Sequence, residues 1–345
     1  MTKRRRSAAL AEAALIAVES GQISVEELLA GGAARIPRFR AWLANRLGRL
    51  PQGERAEPQI RHRRRSREEV AAILTAARAQ FGAHPGVRHI AWGSKTVGGH
   101  PVPRDCLVFL VDAKRRDLAD GAAEKIPESV SLETPLGVRV VETDVREIAK
   151  GVHHAGAVSA GFHCGVQAGS NLGCLGCVTT VGGVAFAIVS GHVAVQKDVA
   201  ITATSVSGGT VPLGPSVVVK NDADVDAARV GPVPDDSLGG LADVPTSVRD
   251  LDESDTRLAI HISVPRGTLY AAVDTVSEPA TFLDPATGAG HAMNALIRLD
   301  QGVTLHGDSG APAMDATGLL VGFVEGIADG RTYLIPAGRA IHGVS

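Results

Sequence analysis

Gly302-Val303-Thr304-Leu305-His306-Gly307-Asp308-Ser309-Gly310-Ala311-Pro312 is the stretch on which the reading of this chain turns. It sets a serine in a Gly-Asp-Ser-Gly turn between two apolar runs. Ala295-Leu296-Ile297-Arg298-Leu299 precedes it, and Gly318-Leu319-Leu320-Val321-Gly322-Phe323-Val324 follows. Short apolar runs bounded by glycine read as strands. A serine hydroxyl is a poor nucleophile near neutral pH, so a reactive one needs a base within hydrogen-bond reach and donors for the oxyanion it creates. Flanking glycines let the backbone turn its amides inward, so that the N–H groups of Gly307 and Ser309 can aim at one point. The competing reading is a Gly-rich β-turn with an incidental serine.

Two further segments weigh against that reading. Phe186-Ala187-Ile188-Val189-Ser190-Gly191-His192-Val193 puts a histidine just past an apolar strand. Asn221-Asp222-Ala223-Asp224-Val225-Asp226-Ala227-Ala228-Arg229-Val230 puts an aspartate at the head of another. The order His192, Asp226, Ser309 resembles that of the trypsin/chymotrypsin-like serine proteases. Ser190-Gly191-His192-Val193-Ala194 is similar to that family's Ala-Gly-His segment, Val225-Asp226-Ala227-Ala228 to its Asp-Ile-Ala segment, and Gly307-Asp308-Ser309-Gly310 to its nucleophile loop. The resemblance implies a serine endopeptidase with Ser309 as nucleophile, His192 as general base and acid, and Asp226 as the residue that orients His192. It implies an oxyanion hole from Gly307 and Ser309, a peptide or protein substrate, and no cofactor or metal. Asp222 and Asp224 compete with Asp226, since alternation along a strand would put all three on one face; Asp226 alone runs straight into an apolar segment. His306 is a rival base by proximity and is expected in a surface loop.

The resemblance also places the primary pocket, with Val303 at its floor, Thr304 beside it, and Val324 and Glu325 on the wall. No aspartate occupies the floor position, but Glu325 offers a carboxylate that could draw in a Lys or Arg side chain.

Composition bounds the rest. The chain has 345 residues, of which 44% are hydrophobic and only 3% aromatic, so a large core must be built from aliphatic side chains. Forty glycines fit a β-rich body with many tight turns. No apolar run reaches the ~20 residues of a membrane span. The basic start is followed by an Ala-rich stretch carrying Glu12 and Glu19, unlike a secretory signal, so we expect a cytoplasmic protein with no membrane partner. Four cysteines (Cys106, Cys164, Cys174 and Cys177) are too few for a disulfide framework in a chain this long. Cys164, Cys174, Cys177 and His163 could together ligate zinc. The glycine-rich setting favours small apolar residues instead, and no metal site is expected.

Along the chain, residues 1–65 read as a basic helical segment and linker, with 14 Lys and Arg against 6 Glu; the remainder has 21 against 31 Asp and Glu. That asymmetry suits an acidic regulatory partner, whether a protein surface, the body of this chain or, less favoured because aromatic residues for base stacking are sparse, nucleic acid. A solvated basic arm is the reading favoured over these. Ser66-Arg67-Glu68-Glu69 is a capping box opening a helix that Gly82 stops. Strands are expected over 87–92, 107–111 and 138–141, giving a small α+β subdomain over 66–150. Gly93-Ser94-Lys95-Thr96-Val97-Gly98-Gly99 and Thr143-Asp144-Val145-Arg146-Glu147 resemble the N-terminal subdomain of a group of bacterial intracellular trypsin-like peptidases. From 151 to 345 the pattern is all-β, in two groups of five or six strands with 231–256 as connection. The expected fold is therefore mainly β, a chymotrypsin-like double β-barrel preceded by a small α+β subdomain and an N-terminal helical segment. Two other functions compete with a regulated protease. One is a catalytically silent protease-fold scaffold, and the other is an adaptor acting through its basic N-terminal helices.

Overall fold

Ser66 caps the first helix, α1 (Arg67–Phe81), its hydroxyl accepting the backbone N–H of Glu69 at 3.2 Å. Val70, Ile73, Leu74 and Ala77 recur at helical spacing and are all buried. They pack against Trp92, Leu107 and Phe109 of β1 (Val87–Val97) and β2 (His100–Val111). The sequence predicts three strands in this layer, and the structure has a fourth. β3 (Ser129–Thr134) pairs with β4 (Gly137–Glu147), giving the order β1-β2-β4-β3. Only Val130 and Leu132 of β3 are apolar, and they alone point into the core, so the strand carries too little hydrophobic signal to be read in advance.

The computed structural model describes residues 65–345 except 99, 115–124, 154–164, 206, 242–246 and 284–288. The helices expected before residue 65, and His163 and Cys164, lie outside the described residues.

The first barrel is a curled seven-stranded sheet, β7-β6-β10-β11-β12-β9-β8. It comprises β6 (Gly165–Ala168), β7 (Asn171–Cys174), β8 (Cys177–Val181), β9 (Val184–Val189), β10 (Ala200–Thr204), β11 (Thr210–Asn221) and β12 (Asp226–Val230). Its interior holds Val166, Leu175, Val189, Val193, Ile201, Leu213 and Val230. The second barrel is built from β13 (Ala259–Val264), β14 (Gly267–Leu283), β15 (Gly290–Leu299), β16 (Pro312–Asp315), β17 (Leu320–Ala328) and β18 (Arg331–Pro336). It closes on itself, because β13 pairs with both β16 and β14 at the two ends of the run β16-β17-β18-β15-β14. Cys177, Ile188 and Ala227 of the first barrel and Leu296, Phe323 and Tyr333 of the second meet in one buried cluster. Against that seam rests Ala340 of the final helix, α4 (Ala337–Gly343), which follows two short ones, α2 (Gly191–Ala194) and α3 (Asp235–Leu238). Among the described residues no helix is long and apolar enough to cross a membrane.

The α+β layer is joined to the second barrel through backbone and charge. β1 pairs with β14 at Gly93 and Thr275, and β5 (Ala149–His153) pairs with β14 and β17. Behind that junction the buried Asp274 carboxylate accepts from Arg146 of β4 and Arg298 of β15, each at 2.9 Å, and from the backbone N–H of Ser94 at 3.2 Å. Removing that buried anion leaves two buried cations with only Asp144 and Glu278 to balance them, in a medium that solvates charge poorly. Asp274→Ala is therefore expected to lower the unfolding free energy by about 3–5 kcal/mol. Urea denaturation followed by tryptophan fluorescence measures it, and a loss under about 1 kcal/mol would show the network to be dispensable.

Candidate active site

Strand pairing brings the histidine and the aspartate together. β9 and β12 are antiparallel neighbours with Val189 opposite Ala228. Three residues beyond Val189 comes His192, and two residues before Ala228 comes Asp226, so both project from the same end of the sheet. His192 sits on the single turn of α2, entered through Gly191. A Cβ on Gly191 would fall 2.7 Å from Asp226 Oδ1 and closer still to the carbonyl of Lys220, so only glycine lets the chain pass. Asp226 is buried, and both of its oxygens are used on His192: Oδ1 accepts the backbone N–H at 2.8 Å and Oδ2 lies 2.5 Å from Nδ1. A charged acceptor there requires Nδ1 to carry a proton, which leaves Nε2 with the basic lone pair.

The other two aspartates have different work. Asp222 accepts the backbone N–H groups of Asp224 and Val225 at 2.9 and 2.8 Å, closing an Asx-type turn, and these two bonds hold its carboxyl below the usual carboxylate range. Asp224 accepts from Asn294 at 3.3 Å. The alternation expected over 222–226 is thus a turn, with the strand beginning only at Asp226.

The serine loop is fastened to the same region. Cys174 donates its backbone N–H to Ser309 O at 2.7 Å and its thiol to Gly307 O at 3.3 Å. Gly310 N–H donates to Val324 O at 2.8 Å, and Val324 N–H to Ala311 O at 2.9 Å. The buried Asp308 accepts Leu305 N–H at 2.6 Å and pairs with Arg266, which pins the turn from behind. Gly307 and Gly310 take φ of +94° and +84°, left-handed values that a side chain would resist. A Cβ on Gly310 would lie 3.3 Å from both the N and Oγ of Ser190, two residues before His192. The Ser309 loop and the His192 turn are therefore in contact across the seam between the barrels. Ser309 itself is buried.

Of the residues expected to form a substrate pocket, Val303 is partly exposed. Thr304 is buried, its hydroxyl 3.0 Å from that of Thr332. Val324 is buried in the second barrel's core. Glu325 departs from expectation. It is 0% exposed, with Oε1 4.0 Å from His192 Nδ1 on the Asp226 side of the ring, where it offers nothing to a substrate side chain. A lone acidic residue in a strand reads from sequence as facing water or ligand, and only the packing shows otherwise. His306 is exposed, as expected. Cys174 and Cys177 are buried thiols outside any disulfide, and burial pushes the Cys177 thiol up to about 12.

A curled sheet and a closed barrel meeting at a histidine–aspartate pair define a chymotrypsin-like double β-barrel, with a serine loop against the pair. No family model and no curated protein matches the chain. Among solved structures it is similar to trypsin/chymotrypsin-like serine proteases. One is Thermobifida fusca protease A, at 15% identity and TM-score 0.40 over 54% of this chain and 96% of that one. Another is a glutamic acid-specific serine protease that uses a histidine triad in substrate binding, at 16% and 0.39 over 54% and 97%. The MamO protease domain of Magnetospirillum magneticum is similar at 16% and 0.36, over 53% and 96%.

Proposed function

We infer that the chain is a serine endopeptidase acting through Ser309, His192 and Asp226. The observation that carries this reading is Asp226 holding both the backbone and the ring of His192 beside a glycine-flanked serine turn. Ser309 Oγ attacks the peptide carbonyl while His192 Nε2 takes its proton. Asp226 stabilises the imidazolium that forms, and the N–H groups of Gly307 and Ser309 receive the oxyanion. His192 then protonates the leaving amine, and water attacks the acyl-enzyme by the same route in reverse. Val303 and Thr304 form a neutral pocket floor, which supports an uncharged residue before the scissile bond. The basic segment over residues 1–65 serves to meet an acidic regulatory partner.

A fluorophosphonate probe tests the assignment directly. Labelling of the wild type that disappears in Ser309→Ala, with new peptide N-termini appearing in a proteome only for the wild type, is the expected pair of results. Labelling that survives the substitution would place the nucleophile elsewhere. Gly191→Ala provides a geometric check away from the reacting atoms. The added methyl must displace Asp226 or Lys220, and a displacement of that order is expected to lower kcat/KM by about 10²-fold. Assays on a peptide series measure it, and an unimpaired variant would show that the pair need not be held so tightly.

A further inference from the structure

Burying a glutamate costs more than burying almost any other residue unless its charge is paired or removed. Glu325, on β17 next to the residue that fastens the serine loop, is nonetheless fully enclosed. Its Oε1 is 4.0 Å from His192 Nδ1, and carboxyl oxygens of Glu325 and Asp226 lie within 4.8 Å of each other. We propose that Glu325 is a positioning residue of this site: as a carboxylic acid it donates a hydrogen bond to the Asp226 carboxylate and so holds it square to the His192 ring.

The protonation follows from which carboxyl has other donors. Two carboxyl groups with oxygens within 4.8 Å in a dry pocket cannot readily both be ionised. Asp226 already accepts two N–H groups from His192, and these stabilise its charge. The proton therefore belongs to Glu325. Burial first, and then the charge of Asp226, push the Glu325 carboxyl well above the usual carboxylate range; Arg339 of α4 draws it the other way and is outweighed. The titratable and charged groups facing Glu325 are thus Asp226 from β12, His192 from α2 and Arg339 from α4. Asp222 and Asp224 face Arg339 from the turn before β12.

Donor atoms of His192, Asp226 and Glu325 also lie within 4.8 Å of one another, close enough to suggest a metal. The 2.5 Å between Asp226 Oδ2 and His192 Nδ1 argues for a proton instead. Two ligands of one tetrahedral zinc ion stand roughly 3.3 Å apart, given bonds of about 2.0–2.2 Å.

The catalytic consequence rests on the proteolytic reading, whereas the protonation is measurable without any turnover. A carboxyl raised in the fold favours the folded state fully below the unfolded value of about 4.3. That contribution is lost as pH climbs towards the folded value, by up to about tenfold in the folding constant per pH unit. Denaturation of wild type and Glu325→Gln between about pH 5 and pH 8 should therefore give a ratio of folding constants that falls with rising pH. In a Ser309→Ala background, the low-field proton resonance of His192 Nδ1–H is expected to persist in Glu325→Gln and to shift or vanish in Glu325→Leu. If the chain cleaves peptides, Glu325→Leu is expected to lose roughly 10–100-fold in kcat with KM little changed, and Glu325→Gln to recover most of it. A pH-independent ratio, a Gln variant as impaired as Leu, or a resonance unmoved in Leu would overturn the proposal. Absence of peptidase activity in the wild type would count against the proteolytic reading alone, leaving the other two readouts to decide on Glu325.

Discussion

Ser309→Ala is expected to fold, to bind substrate with little change in KM, and to turn it over about 10³–10⁶-fold more slowly. The substitution removes one oxygen and leaves the backbone of the loop as it is. The bonds from Cys174 N–H to Ser309 O and from Gly310 N–H to Val324 O belong to the backbone and survive it. So do the left-handed glycines at 307 and 310 that set the direction of the amides. What is lost is made only in the transition state, so the effect falls on kcat. His192→Ala is expected to cost about as much, and the double substitution hardly more, because residues acting as one unit are not additive. Steady-state kinetics on a reporter peptide, with thermal melts to confirm folding, measure all three. A Ser309→Ala enzyme keeping a tenth of its rate would remove the hydroxyl from the mechanism, and losses that multiplied would mean that the two residues act independently.

Local chemistry made part of this molecule legible in advance. The Ser66 cap, the α1 stripe and the His192, Asp226 and Ser309 segments each declare themselves within about ten residues, because caps, strand ends and glycine turns are local rules. β14 shows where such rules stop. Ser277-Glu278-Pro279 holds a proline of the kind that ordinarily ends a strand. The structure instead carries β14 to Leu283 through irregular register, with Ser277 at φ +68°. Glu278 is tolerated there because Thr275 and Tyr333 donate to its two oxygens at 2.6 and 3.0 Å, and Tyr333 comes from a strand far away in sequence. The burial of Glu325 is illegible in the sequence for the same reason. Its environment is supplied by Asp226, His192 and Arg339, none of them a neighbour in the chain. Asp222 competes with Asp226 only if a strand runs through both, whereas Asn221-Asp222 is turn chemistry, and the structure has a turn there.

Asp226→Asn is expected to cost about 10⁴-fold in kcat near neutral pH while leaving the fold in place. The reason lies in donor and acceptor counts. The carboxylate has an acceptor for the backbone N–H of His192 and a second for Nδ1. An amide of the same shape has one acceptor and one donor. Keeping the oxygen on the backbone N–H turns the NH2 towards Nδ1, which must then give up its proton to Nε2, and the base that the proposed mechanism requires is lost. Turning the amide over restores the ring but sets its NH2 against a buried backbone donor, at the expense of the turn that carries the histidine. The first orientation disables the base, the second loosens the turn that holds it, and neither leaves an imidazolium stabilised. Asp224→Asn, two residues away and exposed, is the matched control and is expected to change little. Should Asp226→Asn instead stay within tenfold of wild type, the orienting charge would have to come from the other carboxyl near Nδ1, that of Glu325. With Asp226 neutral, the repulsion keeping Glu325 protonated is gone, and only burial opposes its ionisation. The double variant Asp226→Asn/Glu325→Gln separates the cases: residual activity that depends on Glu325 collapses in it, whereas a base already lost in the single variant has nothing more to lose.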